Sequence, residues 1–297
     1  MAIGSKTTQP AARPRGGERV VFVPDERLPA VLDVIGAARR HLILSLFRCD
    51  DFRVLDALAA ALQRNVRVEV LLTGRAKGWK KRLDELWGVL ESMGAKLHRY
   101  ADPVVKYHAK YLVADDGPAL VSSLNFTREC FTNTCDFLLI TSARPVVTSL
   151  RRLFDADCRA PEASLPARLS RRLIIGPEHA RRRLTGLLGR AHRSIRIVDP
   201  KLTDPAILDL LKAKRAAGVQ VRVIGRGQMG GCRPHGKMIL VDESVAVIGS
   251  LSLSALSLDF RREVAVEVRD RACVRELTRV FRQLAARGRK GAAARRS

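Results

Sequence analysis

Short apolar runs of strand length alternate with stretches of helical spacing along the chain, and the alternation occurs twice. Arg19-Val20-Val21-Phe22-Val23-Pro24 is an apolar run closed by proline, and a helix is expected over 27–40. Leu173-Ile174-Ile175-Gly176-Pro177, with a helix over 178–190, repeats that arrangement 153 residues later. Strands follow over 41–47 and 192–198, then helices over 53–63 and 205–217; the second carries Ile207, Leu208 and Leu211 at helical spacing and stops at Gly218. Strands over 66–72 and 219–224 close this part of each unit, Val alternating with charged or amide side chains as on a strand with one buried face.

The first unit then carries an insertion of 26 residues, read as a helix over 80–93 ended by Gly94 and a strand over 96–100. Ahead of it, 73–81 holds four basic residues and Trp79, a candidate contact for a phosphate-bearing ligand or simply a solvated helix start. Both units continue with strands over 110–114 and 237–241, 119–121 and 245–248, 137–140 and 264–268, and end in amphipathic helices over 145–154 and 274–284. The pattern predicts a layered α/β fold: two similar α/β/α halves paired about a pseudo-twofold axis. The expected organisation is a flexible leader over 1–18, a first half over 19–159, a linker over 160–171 with Pro161 and Pro166, a second half over 172–286, and a basic disordered tail over 287–297.

Composition narrows the partners. With 54 basic and 30 acidic residues the formal charge is +24, a field that gathers polyanions, and nucleic acid and anionic lipid headgroups both qualify. No run of 18 apolar residues and no secretory leader is present, so the expectation is a cytoplasmic monomer without a transmembrane span, for which contact with a membrane surface is at most peripheral. The 6 cysteines form no CxxC pair and read as reduced, buried small hydrophobes. Cys232 and His235 lack two further ligands at metal spacing, so neither a metal nor another cofactor is expected.

One composite pattern also occurs twice. His108, Lys110, Asp115, Ser123, Asn125 and Asp136 are matched, 127 residues on, by His235, Lys237, Asp242, Ser250, Ser252 and Glu263. A lone His-x-Lys is ordinarily structural or merely exposed; two copies with every offset preserved are not ordinary. On a strand, residues two apart face the same way, so each His and Lys would share one space, while each Asp would lie on the other face and hold the turn. A twofold repeat then gathers two imidazoles and two ammonium groups around an anion, and a phosphate fits. One imidazole can attack phosphorus while the other protonates the leaving oxygen. Lys110, Lys237, Asn125, Ser123, Ser250 and Ser252 are the candidate phosphate ligands, and Asp136 and Glu263 could orient the imidazoles through Nδ1.

The stretches HAKYLVADDGPALVSSLNFT and HGKMILVDESVAVIGSLSL resemble the paired signature of the phospholipase D superfamily, His-x-Lys-x4-Asp followed by Gly-Ser-x-Asn, over about 20–286. The resemblance implies one active site at the interface of two halves, metal-independent chemistry, and a catalytic set of His108, Lys110, Asp115, His235, Lys237 and Asp242. By the same carry-over His108 is the nucleophile, His235 the general acid and base. Two departures stand out: Ser122 replaces the first Gly, and Ser252 replaces the second Asn. The family acts on phospholipids, by hydrolysis or transfer, and on nucleic acids, and the motifs do not separate these. A phosphatidyl substrate is the first expectation, nuclease action the second, and a polyanion binder with little turnover the third. A lipid enzyme should show an apolar lip beside its cleft, with Phe47, Trp79, Trp87, Phe126 and Phe131 as candidates.

Overall fold

The computed structural model describes residues 17–159, 162, 164–225 and 232–293. In the first half the elements run β1 (Arg19–Val21), α1 (Pro24–Ala37), β2 (His41–Leu46), α2 (Phe52–Gln63), β3 (Arg67–Thr73), α3 (Lys80–Ser92), β4 (Lys96–Tyr100), β5 (Lys106–Tyr107), β6 (Tyr111–Ala114), β7 (Ala119–Ser122), α4 (Arg128–Thr132), β8 (Thr134–Cys135), β9 (Leu138–Thr141) and α5 (Arg144–Arg159). The second half follows with β10 (Leu173–Gly176), α6 (Ala180–Gly189), β11 (Ser194–Val198), α7 (Pro205–Ala216), β12 (Gln220–Ile224), β13 (Arg233–Pro234), β14 (Met238–Val241), β15 (Val245–Gly249), α8 (Ala255–Asp259), β16 (Arg261–Val268) and α9 (Arg271–Ala293).

The two main sheets have the same strand order. The first reads β1-β9-β7-β6-β2-β3-β4, the second β10-β16-β15-β14-β11-β12, and only the β4 edge built by the insertion lacks a counterpart. In each, the strand after the first helix pairs parallel to one neighbour and antiparallel to the other: β2 with β3 and β6, β11 with β12 and β14. Parallel pairing demands a crossover connection, supplied by α2 and α7.

Three apolar cores give the layers. Leu42, Leu44 and Val68 bury one sheet face under Val31, Ile35 and Leu58 of α1 and α2. Ile195, Ile197 and Val221 do the same under Leu184, Leu188 and Ile207 of α6 and α7. The third core is shared: Tyr111, Val113, Val121 and Phe154 from the first half pack in one cluster with Met238, Leu240, Ile248 and Phe281 from the second. Burial at roughly 25 cal/mol per Å² of apolar surface makes that shared layer the main force holding the halves together.

Two short parallel pairings cross the seam. In one, β5 meets the start of β16, Lys106 opposite Arg261 and Tyr107 opposite Arg262. In the other, β13 meets β8, Arg233 opposite Thr134 and Pro234 opposite Cys135. These are twofold equivalents, and each ends one residue before a motif histidine and one before a carboxylate.

Several expectations shift. The α1 helix starts at Pro24, three residues early, because proline suits a first helical turn whose N–H groups have no intrahelical partner. His108-Ala109-Lys110 and His235-Gly236-Lys237 lie outside the strands expected to carry them; their backbone is drawn across the seam, His108 N–H donating to Arg262 O (2.9 Å) and Gly236 N–H to Cys135 O (2.5 Å). Glu18, assigned to a flexible leader, accepts from Arg172 (2.6 Å) and Thr141 (2.9 Å). In the linker, Ser170 N–H donates to Ser149 Oγ (2.8 Å), and Leu165 and Leu169 pack on the shared core. The last helix runs to Ala293, into the segment expected to be disordered. The leader over 1–16, residues 160, 161 and 163 of the linker, and 294–297 lie outside the described residues.

The seam leaves no space at Gly236, where an added Cβ would stand 2.2 Å from Cys135 O and 2.8 Å from Asp136 Cα. Gly236→Ala is therefore expected to destabilise the protein by about 1–3 kcal/mol, as overpacking does. Denaturant unfolding measures this, and an unchanged midpoint would contradict the close approach.

Candidate active site

Each seam pairing delivers a histidine from one half to a carboxylate from the other. His108 Nδ1 lies 2.9 Å from Glu263 Oε2, and His235 Nδ1 lies 2.9 and 3.0 Å from the two oxygens of Asp136. The carboxylates thus serve the opposite motif, not their own. Both are fully buried (0% exposed), and hydroxyls fix them further: Ser257 Oγ donates to Glu263 (3.0 Å), Ser123 Oγ (2.6 Å) and Thr134 Oγ1 (2.5 Å) to Asp136. A carboxylate that accepts the Nδ1 proton leaves the Nε2 lone pair free.

The two pairs differ electrostatically. Burial pushes the Glu263 carboxyl above the usual carboxylate range in spite of Lys110 and Lys237. Burial acts the same way on Asp136, but His235, Lys237 and the Ser123 hydroxyl overcome it and hold Asp136 below that range. His108 is driven well below the ordinary histidine value by burial and by the positive charges of Lys110, Lys237, Arg261 and Lys201. Its ring also packs against Phe47, tilted by 58° with ring centroids 4.6 Å apart. Burial lowers His235 as well, opposed by Asp136.

Both imidazoles line one cleft of about 860 Å³, together with Asn125. Asn125 has a buried amide oxygen without a hydrogen-bond partner. The first half contributes Arg48, Arg75, Lys77, Lys80, Arg99 and Lys106, the second Lys201 and Arg261, and Asp84 is the one acidic side chain among them. The basic stretch around Trp79 therefore does border the site, and the Arg48 and Arg82 guanidinium groups lie 5.0 and 5.1 Å from the Trp79 ring. Lys110 and Lys237 sit deeper, 1% and 5% exposed. The Lys110 ammonium donates to His108 O (2.6 Å), and burial pushes its pKa well down.

Other motif residues stand away from the cleft. Asp115 accepts from the backbone N–H groups of Arg39, Arg40 and His41 (2.8, 2.9 and 2.8 Å), and Asp242 from those of His192, Arg193 and Ser194 (3.0, 2.7 and 2.8 Å). Both have left-handed backbone, φ +47° and +53°, which Asp tolerates better than most residues. Each clamps the turn before the parallel strand, as strand geometry implied, and neither touches the imidazoles that the motif groups it with. Ser123 and Ser250, expected among the phosphate ligands, both make hydrogen bonds inside the protein. Ser123 is committed to Asp136 and to Phe137 N–H (2.9 Å); Ser250 bonds the Val264 backbone (3.3 and 3.1 Å) behind Glu263. Ser252 donates to Asp199 (2.9 and 3.0 Å), so its hydroxyl proton is already used. Ser122 fits in place of glycine because its hydroxyl bonds Leu124 (2.9 and 3.2 Å). At the equivalent Gly249 an added Cβ would meet Val264 O at 2.2 Å.

Phe47, a candidate for the cleft lip, does line the cleft, but spacing did not reveal Lys201, Lys106 or Arg261. A usable signal existed for Lys201, since it follows the carboxyl end of a parallel strand, where open α/β sheets bind ligands. One cluster among the described residues has metal-ligand chemistry, Cys130 with Asp136 and His235. The imidazole and the Ser123 and Thr134 hydroxyls already satisfy that carboxylate, and burial pushes the Cys130 thiol up, away from the thiolate a metal prefers.

Paired α/β/α halves with a histidine from each in a single cleft define a duplicated phosphodiesterase fold of the phospholipase D type. The family model described as "Cardiolipin synthase, PLD-like domain" matches residues 31–158 and 228–285, and the chain belongs to that family. It is 26% identical over 313 aligned positions to cardiolipin synthase B of Salmonella typhi, and equally to that of Escherichia coli K12, covering 83% of this chain and 75% of either relative. In fold it is similar to a phosphatidylserine synthase of Haemophilus influenzae Rd KW20 (TM-score 0.70, 11% identity, 90% of this chain and 85% of that one). It is also similar to the polyphosphate kinase of Porphyromonas gingivalis (TM-score 0.75, 21% identity, 89% of this chain), of which it spans about half, 46%.

Asp115→Ala or Asp242→Ala strips the acceptor from three backbone N–H groups and is expected to cost about 1–3 kcal/mol of stability. Turnover per folded molecule should stay within a few-fold of wild type. Thermal unfolding alongside active-site titration checks this; full stability with abolished turnover would return these residues to the chemistry.

Proposed function

We propose that the protein is a phosphodiesterase that hydrolyses or transfers phosphatidyl groups through a covalent phosphohistidine, without a metal ion. The observation that carries this reading is the crossed pair of His–carboxylate contacts opening on one cationic cleft. His108, held neutral by burial and neighbouring cations, is the nucleophile: Nε2 bonds to phosphorus as the bond to the leaving oxygen breaks. His235 beside an ionised Asp136 is the better-supported cation, so it gives its proton to the departing alkoxide. Water or an acceptor alcohol then loses its proton to His235, attacks phosphorus and breaks the P–N bond, returning His108 to neutrality. Two environments that push paired groups apart in this way are how acid and nucleophile roles are ordinarily divided.

Lys110, Lys237 and Asn125 are the phosphate ligands in this scheme; Lys201 and Arg261 add positive charge at the mouth. Ser252, committed to Asp199, contributes through that contact instead of binding the phosphate. The phosphatidyl substrate is supported by the names of the cardiolipin synthase B relatives. Nuclease action is the second reading, favoured by the excess of cations in the cleft and by the Arg-flanked Trp79, since stacked aromatics and cations suit single strands.

Incubating the His235→Ala variant with a phosphodiester that has a good leaving group should leave a phosphoryl adduct on His108, mapped by mass spectrometry after rapid quenching. His108→Ala should form no adduct, and turnover should fall in both by about 10³-fold or more. Wild-type activity should survive EDTA; loss to EDTA with recovery on Mg²⁺ defeats the mechanism. Phosphatidylglycerol assayed beside single-stranded DNA separates the two readings.

The depressed His108 pKa sets the pH response. A histidine that resists protonation keeps its nucleophilic form at pH values where an ordinary imidazole is charged. The acid-side fall in kcat/KM is therefore expected below pH 6.5, the ordinary histidine value. A fall centred at or above that value contradicts the assignment.

A further inference from the structure

The described residues expose six large apolar side chains, and three of them lie on or within two residues of positions that line the cleft. Val104 is 68% exposed, Leu256 43% and Phe260 50%; the others belong to α2, α3 and the approach to α1. Leu256 lies on α8 and Phe260 is its C-terminal cap, four residues on. Lys106 N–H donates to Phe260 O (3.0 Å) at the β5–β16 seam, which brings the loop tip at Val104 alongside. That loop is built to project: Asp102 Oδ1 accepts from Val104 N–H (2.8 Å) and Val105 N–H (2.7 Å), and Arg75 donates to Asp102 O (3.1 Å) and Pro103 O (2.9 Å).

Leu256, Lys106 and Arg261 line the same cleft as both imidazoles. Scattered single apolar residues need no explanation, but a convergent group beside a functional opening does. Here the group is exposed, aliphatic at two of its three tips, and accompanied by Lys106, Arg261, Arg75 and Lys201 of the cleft lining. Single-stranded nucleic acid would be met by flat rings, and valine and leucine offer none. Apolar tips that enter the acyl boundary while cations meet phosphates at headgroup level match an anionic bilayer.

We infer that this rim is a docking surface for an anionic membrane, seating the cleft mouth over the headgroup layer. The inference rests on the phosphatidyl reading of the site and names the surface through which it is served. It also adds to the lip expected of a lipid enzyme: of the expected candidates Phe47 and Trp87 line the cleft and are half-buried, whereas Phe126 and Phe131 are in the core.

The test uses the full chain and a double variant, Val104→Ser with Phe260→Ser, which leaves cleft-lining Leu256 in place. Wild type should co-sediment with vesicles of phosphatidylcholine containing phosphatidylglycerol, and much less with phosphatidylcholine alone. The double variant should lose about tenfold or more in partitioning. Its cleavage of a water-soluble aryl phosphodiester should stay within twofold, which also reports that it is folded. His108→Ala should bind vesicles like wild type, so failure of the chemical mechanism is distinguishable from failure of docking. Equal partitioning of the double variant, no binding of wild type to the anionic vesicles, or a loss in the variant of single-stranded oligonucleotide binding instead would overturn the inference.

Discussion

Two contacts of two residues each hold this active site in register. Lys106-Tyr107 against Arg261-Arg262, and Arg233-Pro234 against Thr134-Cys135, are parallel strand pairings too short to add much stability by themselves. Their importance is positional. Each is followed directly by a histidine on one strand and a carboxylate on the other, so hydrogen bonds of the backbone set how far an imidazole stands from its partner. The shared core of Tyr111, Val121, Met238 and Ile248 supplies the cohesion that keeps both pairings closed.

This arrangement gives the two motif histidines unequal surroundings. Burial pushes Glu263 up and His108 well down, whereas Asp136 is held below the usual carboxylate range beside a more exposed histidine. Since every carboxylate reaches across the seam, either half alone would leave its histidine without an acceptor at Nδ1. A single shared site is the consequence of that exchange. The rim of Val104, Leu256 and Phe260 is anchored to one of the same pairings, which ties the cleft mouth to the chemistry beneath it.

Much of this was legible in the sequence, and the parts that were not have a common cause. Apolar periodicity reports which face a segment buries, so the two sheets, the crossover helices α2 and α7 and the inserted α3 and β4 fall close to their expected places. The repeated offsets identified His108, His235, Asp136 and Glu263 as one constellation. Periodicity says nothing about a partner across a seam, so the crossing of Asp136 to His235 and of Glu263 to His108 could not be read. The same blindness placed His-x-Lys on a strand, when the backbone there leaves its sheet to bond the other half. Ser123 and Ser250 were grouped with the phosphate ligands by spacing alone; in space they lie behind the carboxylates. Motif membership likewise drew Asp115 and Asp242 toward catalysis, although strand alternation had put them on the far face. Leu256 and Phe260 were not singled out because a five-residue helix and its cap are too short to leave a periodic signal.

The crossed orientation of the two imidazoles is the claim on which the mechanism stands, and histidine ¹⁵N NMR addresses it directly. In the wild-type protein His108 and His235 should each carry a proton on Nδ1, and His108 should be unprotonated at Nε2. Glu263→Gln should alter the His108 signals and spare His235, and Asp136→Asn should do the reverse. If each substitution instead perturbed the histidine of its own half, or neither imidazole carried its proton on Nδ1, the exchange of carboxylates between halves would be wrong.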